Sequence, residues 1–171
     1  MPAYSASRNL VFIGMPGSGK STVGVLVAKR LGLGFIDTDL LIQQAEGRTL
    51  QEIVDQDGYL ALRQVEERVL LELQGSGDVI STGGSAVYSE RAMDHLRQAG
   101  TVVFLDIPLS VVRERIGDYS LRGISRRPGQ SLEALYDERF ALYSRYADLT
   151  VPGQGLTQEA VCQLVIDGLR V

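Results

Sequence analysis

Residues 14–21 read Gly-Met-Pro-Gly-Ser-Gly-Lys-Ser, which matches the pattern G-x-x-x-x-G-K-[ST]. Glycines at this spacing let the backbone curl so that successive N–H groups point at phosphate oxygens, and a helix beginning near Gly19 adds the positive end of its dipole. Lys20 supplies a point charge for β- and γ-phosphates, and the Ser21 hydroxyl can ligate Mg²⁺. Gly14, Gly17, Ser18, Gly19, Lys20, Ser21 and Thr22 therefore form a candidate nucleotide cradle. Such a cradle occurs in switch GTPases, in motor and transporter ATPases and in small-molecule kinases. Guanine-specific switches rely on an Asn-Lys-x-Asp motif, and Asn9, upstream of the cradle, is the only asparagine here. No ATP-binding-cassette signature is present. A small-molecule kinase using ATP and Mg²⁺ is the economical expectation.

A phosphoryl acceptor would need its own groups. Asp37 and Asp39 stand two residues apart at a strand end, a spacing that points both side chains one way across a pleat. One could hold Mg²⁺ through water and the other could take the proton of an attacking hydroxyl; helix N-capping by Asp39 is the structural alternative. Arg63 has Glu66 and Glu67 at i+3 and i+4, so a surface ion pair competes with a binding role. Arg139 falls on a second helical pattern, where exposure is the default. Gly83-Gly84-Ser85 follows a strand and is either a tight turn or backbone that a substrate approaches closely. His95, the only histidine, has no partner motif and reads as a surface residue.

The elements that must position these groups alternate. Residues 10–13 form an apolar run ending at Gly14, as suits a strand buried on both faces. Residues 23–33 have helical spacing, and 35–36 lead as a second strand into Asp37-Thr38-Asp39. Residues 40–73 are helical with breaks at Gly47 and Gly58. Strands follow at 79–82, 101–107 and 149–151, and a helix at 158–169. Alternation of this kind implies a mostly parallel sheet with helices on both faces, and ligands at the carboxyl ends of the strands. The polar stretch 117–130, with Arg122, Arg126 and Arg127, is long for a connection and reads as a lid.

The chain has 171 residues, 44% of them hydrophobic, enough for one ordinary domain over 1–171. Its 17 basic and 21 acidic residues give a net charge of −4, which argues against a general nucleic-acid binder. Only Lys20 and Lys29 are lysines; the other basic residues are arginines. No apolar run spans a bilayer, and the first residues lack a secretory pattern. With a single cysteine, Cys162, read as an apolar packing residue, a cytoplasmic protein is expected.

The order of motifs resembles the shikimate kinase family, within the nucleoside-monophosphate-kinase-like P-loop group. The resemblance runs through Gly14 to Ser21, Asp37-Thr38-Asp39, Leu62-Arg63-Gln64-Val65-Glu66-Glu67, Thr82-Gly83-Gly84-Ser85, the arginine-bearing stretch and Glu138-Arg139-Phe140-Ala141-Leu142-Tyr143 to Ala147-Asp148. It implies an α/β three-layer P-loop fold with a five-stranded parallel sheet in the order 2-3-1-4-5, a substrate-binding segment over about 38–75 and a lid over about 117–130. It implies transfer of phosphate from ATP to shikimate, yielding shikimate 3-phosphate and ADP. The sequence does not set the oligomeric state; a monomer is favoured. Other readings are a kinase of another hydroxy acid such as gluconate, and a nucleotide-binding regulatory module without turnover. By the same resemblance Asp39 binds the acceptor hydroxyls and is the base, and Asp37 helps place the metal with Ser21. Arg63, Arg139, Gly83 and Gly84 hold the acceptor, Arg122 reaches the transferring phosphate alongside Lys20, and Arg115 lies against adenine. Two departures stand out. The family has three glycines where this chain has Gly83-Gly84-Ser85. Its lid carries Arg-Pro followed by apolar residues, where this chain has Arg122-Gly123-Ile124.

Overall fold

The computed structural model describes residues 7–117 and 123–170. Five strands, β1 (Asn9–Ile13), β2 (Gly34–Asp37), β3 (Asp78–Ser81), β4 (Gly100–Asp106) and β5 (Leu149–Pro152), form one sheet in the order β2-β3-β1-β4-β5. Every pairing is parallel, with Leu10 opposite Val79 on one side and Thr101 on the other. This is the order that the resemblance implies.

Strand periodicity divides the apolar residues of β1 between two cores. Leu10 and Phe12 face α1 (Lys20–Leu31) and α8 (Gln158–Gly168), packing with Val23, Val27, Cys162 and Val165. Val11 and Ile13 face the opposite layer, formed by α5 (Glu90–Ala99), α6 (Leu109–Ile116) and α7 (Leu132–Tyr146). All four β1 residues are fully buried, as expected of a central strand covered on both faces. Cys162 is fully buried and apolar in its surroundings, as its position in the sequence implied.

The long helical stretch after β2 resolves into α2 (Thr38–Glu46), α3 (Leu50–Asp57) and α4 (Tyr59–Glu72), separated at Gly47 and Gly58. Thr49 opens α3 with a capping box closed by Glu52. Ile42, Ile53, Leu62 and Val69 give these three helices a small core of their own beside the sheet. Among the described residues no helix is long and apolar enough to cross a membrane.

Candidate active site

The carboxyl ends of β1, β2 and β3 open on a cleft of about 380 Å³. The turn after β1 and the first residues of α1 line one wall, α2 and α4 a second, and the turn after β3 a third. Gly14 adopts φ 149°, and a Cβ there would lie 2.9 Å from the Leu105 carbonyl oxygen, so only glycine can begin this turn. Lys20, the first residue of α1, folds back and donates to the Gly14 and Met15 carbonyls at 2.8 and 2.9 Å. Burial pulls its ammonium down to about 8, opposed by the negative charge of Asp39. Arg115, on α6, donates to the Gly17 carbonyl at 3.1 Å and so stands against the same turn.

The two aspartates occupy different elements. Asp37 ends β2 and N-caps α2, its Oδ1 accepting from the Asp39 N–H at 2.9 Å. Asp39 lies in the first turn of α2. The capping residue is thus Asp37, not Asp39, and the pair is split by the strand-to-helix turn rather than aligned along one pleat. The split separates their surroundings. Asp37 Oδ2 accepts from the Ser21 hydroxyl at 2.9 Å, with Ser81 Oγ 3.1 Å from the same hydroxyl. Asp39 lines the cleft, its carboxyl raised by burial and then by the charge of Asp37.

Arg63 does not pair with Glu66 or Glu67. Its Nε donates to Ser125 Oγ at 2.8 Å and its Nη2 to the Ser125 carbonyl at 3.4 Å, while the guanidinium lies 3.6 Å over the Tyr88 ring. Glu67 points elsewhere, to Ser89 and Arg91. Arg139 is not an exposed helix residue either: it is 1% exposed, and its Nη2 donates to the same Ser125 carbonyl at 2.6 Å. Two cations from α4 and α7 therefore converge on one backbone oxygen. Arg139 makes no ion pair among the described residues, although it is buried.

Gly83 and Gly84 are dictated by space. A Cβ on Gly83 would sit 2.3 Å from Glu66 Oε2 and 2.9 Å from Asp39 Oδ1. One on Gly84 would meet Arg139 Nη1 at 2.7 Å and Pro16 Cδ at 2.8 Å. Tyr143, one helical turn after Arg139, donates to the Gly84 carbonyl at 2.6 Å and fixes this turn against α7. Gly123 takes φ 60°, donates its N–H to Gln51 Oε1 at 2.7 Å, and packs so tightly on Leu50 and Gln51 that a Cβ would lie 2.6 Å from their backbone. Proline, which the family pattern carries at this point, can satisfy neither condition here.

Lys20, Ser21, Thr22, Asp39, Gly83, Gly84 and Arg139 line one cleft, together with Gly17 and Gly19. Arg63 reaches its edge through Ser125. Arg122 lies outside the described residues. His95 is half-buried, with Nε2 2.8 Å from the Leu73 carbonyl, and does not line the cleft. Four residues at or beside the cleft carry no site role in the sequence reading: Glu66, Tyr88, Ser125 and Tyr143. Glu66 had a visible signal, since it continues the buried stripe Leu62, Glu66, Val69, Leu70 of α4, where a carboxylate is out of place. Tyr143 stands at i+4 from Arg139. Ser125 had no local signal.

A turn after β1 with the G-x-x-x-x-G-K-[ST] pattern, a 2-3-1-4-5 parallel sheet and a cleft at the strand ends define a P-loop phosphotransferase acting on a hydroxyl group. The family model for shikimate kinase matches residues 16–170. The shikimate kinase of Rhizobium meliloti (strain 1021) is 38% identical over 162 residues, 93% of this chain and 84% of that protein. A shikimate kinase from Acinetobacter baumannii, solved in complex with shikimate, superposes with a TM-score of 0.87 at 30% identity, covering 96% of this chain and 94% of that one. A gluconokinase from Sinorhizobium meliloti 1021, with a TM-score of 0.53 and 22% identity, shares the fold. The chain belongs to the shikimate kinase family.

Proposed function

We infer that this chain transfers the γ-phosphoryl group of ATP to a hydroxyl of shikimate, giving shikimate 3-phosphate and ADP. The observation that carries the choice of a carboxylate-bearing acceptor is the convergence of Arg63 and Arg139 on the Ser125 carbonyl oxygen, beside the cleft that Lys20 and Asp39 line. A carboxylate in that place offers the two guanidinium groups a charged acceptor and bidentate geometry.

Phosphoryl transfer asks of the protein mainly in-line positioning and charge neutralisation. Lys20 exchanges its two carbonyl partners for phosphate oxygens. Asp39, close to the Gly83 backbone, receives the acceptor hydroxyl, and its raised carboxyl suits it to orient that hydroxyl and take its proton. The hydroxyl of Ser21 and the Oδ2 of Asp37, both hard oxygen donors 2.9 Å apart, fit Mg²⁺ and are the residues that would hold it. Bound there, Mg²⁺ would supply charge neutralisation for the β- and γ-phosphates. Arg115 beside Gly17 is assigned to the adenine side and Arg122 to the transferring phosphate. Residues 1–171 act as one kinase domain, with about 38–75 as the acceptor side. Residues of about 117–130 serve as the lid, excluding water that competes as acceptor.

The test is ADP production by the purified protein against a panel of hydroxy acids including shikimate and gluconate. Shikimate-dependent turnover is expected, lost in Lys20→Ala; turnover with gluconate alone, or near-normal turnover in Lys20→Ala, would overturn the assignment.

A further inference from the structure

Glu66 is 4% exposed, yet it lines the cleft between the phosphate turn and the acceptor arginines. Its two oxygens have different surroundings. Oε1 accepts a hydrogen bond from the Ser85 hydroxyl at 2.5 Å, a short, charge-assisted contact. Oε2 lies over the Gly83 backbone, near Asp39 Oδ1. A Cβ placed on Gly83 would lie 2.3 Å from Glu66 Oε2 and 2.9 Å from Asp39 Oδ1, so those two carboxylate oxygens flank one narrow space.

We propose that Ser85 is a positioning residue acting through Glu66: its hydroxyl holds one carboxylate oxygen so that the other, beside Asp39, faces the acceptor. The proposal rests on the acceptor site assigned above. Ser85 stands where the family pattern has a third glycine, and its backbone, at φ −98° and ψ 3°, is one any residue adopts. The serine is therefore not there to satisfy the turn. With Oε1 engaged as an acceptor, a proton on Glu66 is confined to Oε2. The acceptor then meets a defined donor or a defined carboxylate oxygen, according to pH, instead of a carboxyl free to rotate.

The charges facing Glu66 come from three other elements: Asp39 on α2, Lys20 on α1 and Arg139 on α7, with the neutral Tyr143 hydroxyl behind Arg139. Burial lifts Glu66 to about 7, and the Ser85 hydrogen bond is the first influence opposing that rise. Removing the hydroxyl should therefore raise the midpoint further.

The experiment follows the ¹³C carboxyl signal of Glu66 with pH in the free protein, for wild type and Ser85→Ala. It is paired with pH profiles of kcat/KM for shikimate and for ATP. In Ser85→Ala the carboxyl midpoint should rise by about one pH unit, the scale of one lost hydrogen bond to a charged group. The shikimate profile should move with it, and the KM for ATP should hold. In a Glu66→Gln background, where residue 66 no longer titrates, Ser85→Ala should leave the pH midpoint of the shikimate profile where it is. A carboxyl midpoint that stays put overturns the proposal, as does a midpoint that moves while the shikimate profile does not. A shifted pH midpoint in the Glu66→Gln background overturns it too, because the shift would then come from a group other than Glu66. The carboxyl titration needs no acceptor. If the wild type phosphorylated no hydroxy acid, an unmoved midpoint would still refute Ser85's hold on Glu66 and a shift would still support it, while the proposed function fell on its own.

Discussion

Burial at Glu66 ties its proton to folding. The carboxyl rises from an ordinary 4.5 to about 7 in the folded chain, chiefly through loss of water. The native state keeps a proton that the unfolded chain releases, so its contribution to stability is complete below about pH 4.5 and is lost as pH rises toward 7. Glutamine has no such titration and can still accept from Ser85. Glu66→Gln should therefore gain stability relative to wild type between pH 5 and 8, by at most about 3 kcal/mol. Denaturant midpoints at the two pH values check this, and a constant difference would show that Glu66 is ionised throughout. At Arg139 the expected loss lies in binding. Arg139→Ala should weaken kcat/KM for the acceptor by about 2–5 kcal/mol, the cost of removing one partner of a buried charged contact, with the KM for ATP little changed. Arg139→Lys should recover little of this. An ammonium cannot reproduce a guanidinium that reaches both the Ser125 carbonyl and the Tyr88 hydroxyl.

The elements around the cleft were readable to different depths. β1, the phosphate turn and α1 were plain in the sequence because one short segment carries the apolar run, the glycines and the lysine together. The acceptor side was plain only as residue types. Arg63 was placed on the correct helix, but a rule about i+3 and i+4 neighbours cannot reveal that the turn at Ser125, far along the chain, supplies its partner. The split of Asp37 from Asp39 depended on where β2 stops, and a strand end is blurred when the next residues also suit a helix start. Gly123 belongs to this scale too. In the sequence it is only a departure from the family's Arg-Pro; in the structure it fastens the segment to α3 through φ 60° and close contact with Leu50 and Gln51. Gly123→Ala should overpack this contact at a cost of about 1–3 kcal/mol. Faster hydrogen exchange at the Gln51 and Glu52 amides would register the segment lifting from α3, and unchanged exchange would show that alanine is accommodated.

For the molecule as a whole, the parallel sheet gathers its functional residues at one edge by delivering three strand ends to the same side. α7 then ties the turns after β1 and β3 together: Tyr143 bonds the Gly84 turn and lies 3.8 Å from Met15, one helical turn from Arg139. A different consequence follows from the lysine at the centre of this arrangement. Lys20 and Lys29 are the only lysines, one buried in the cleft with its ammonium pulled down to about 8, the other exposed on the far part of α1. The chain therefore carries an acylation target at the phosphate site and an internal reference on the same helix. With an isotopically coded amine-reactive ester at pH 8, ATP should shield Lys20 and leave Lys29 untouched, a ratio that peptide mass spectrometry reads without any knowledge of the acceptor. Equal labelling of Lys20 with and without nucleotide would place the phosphates somewhere other than this turn.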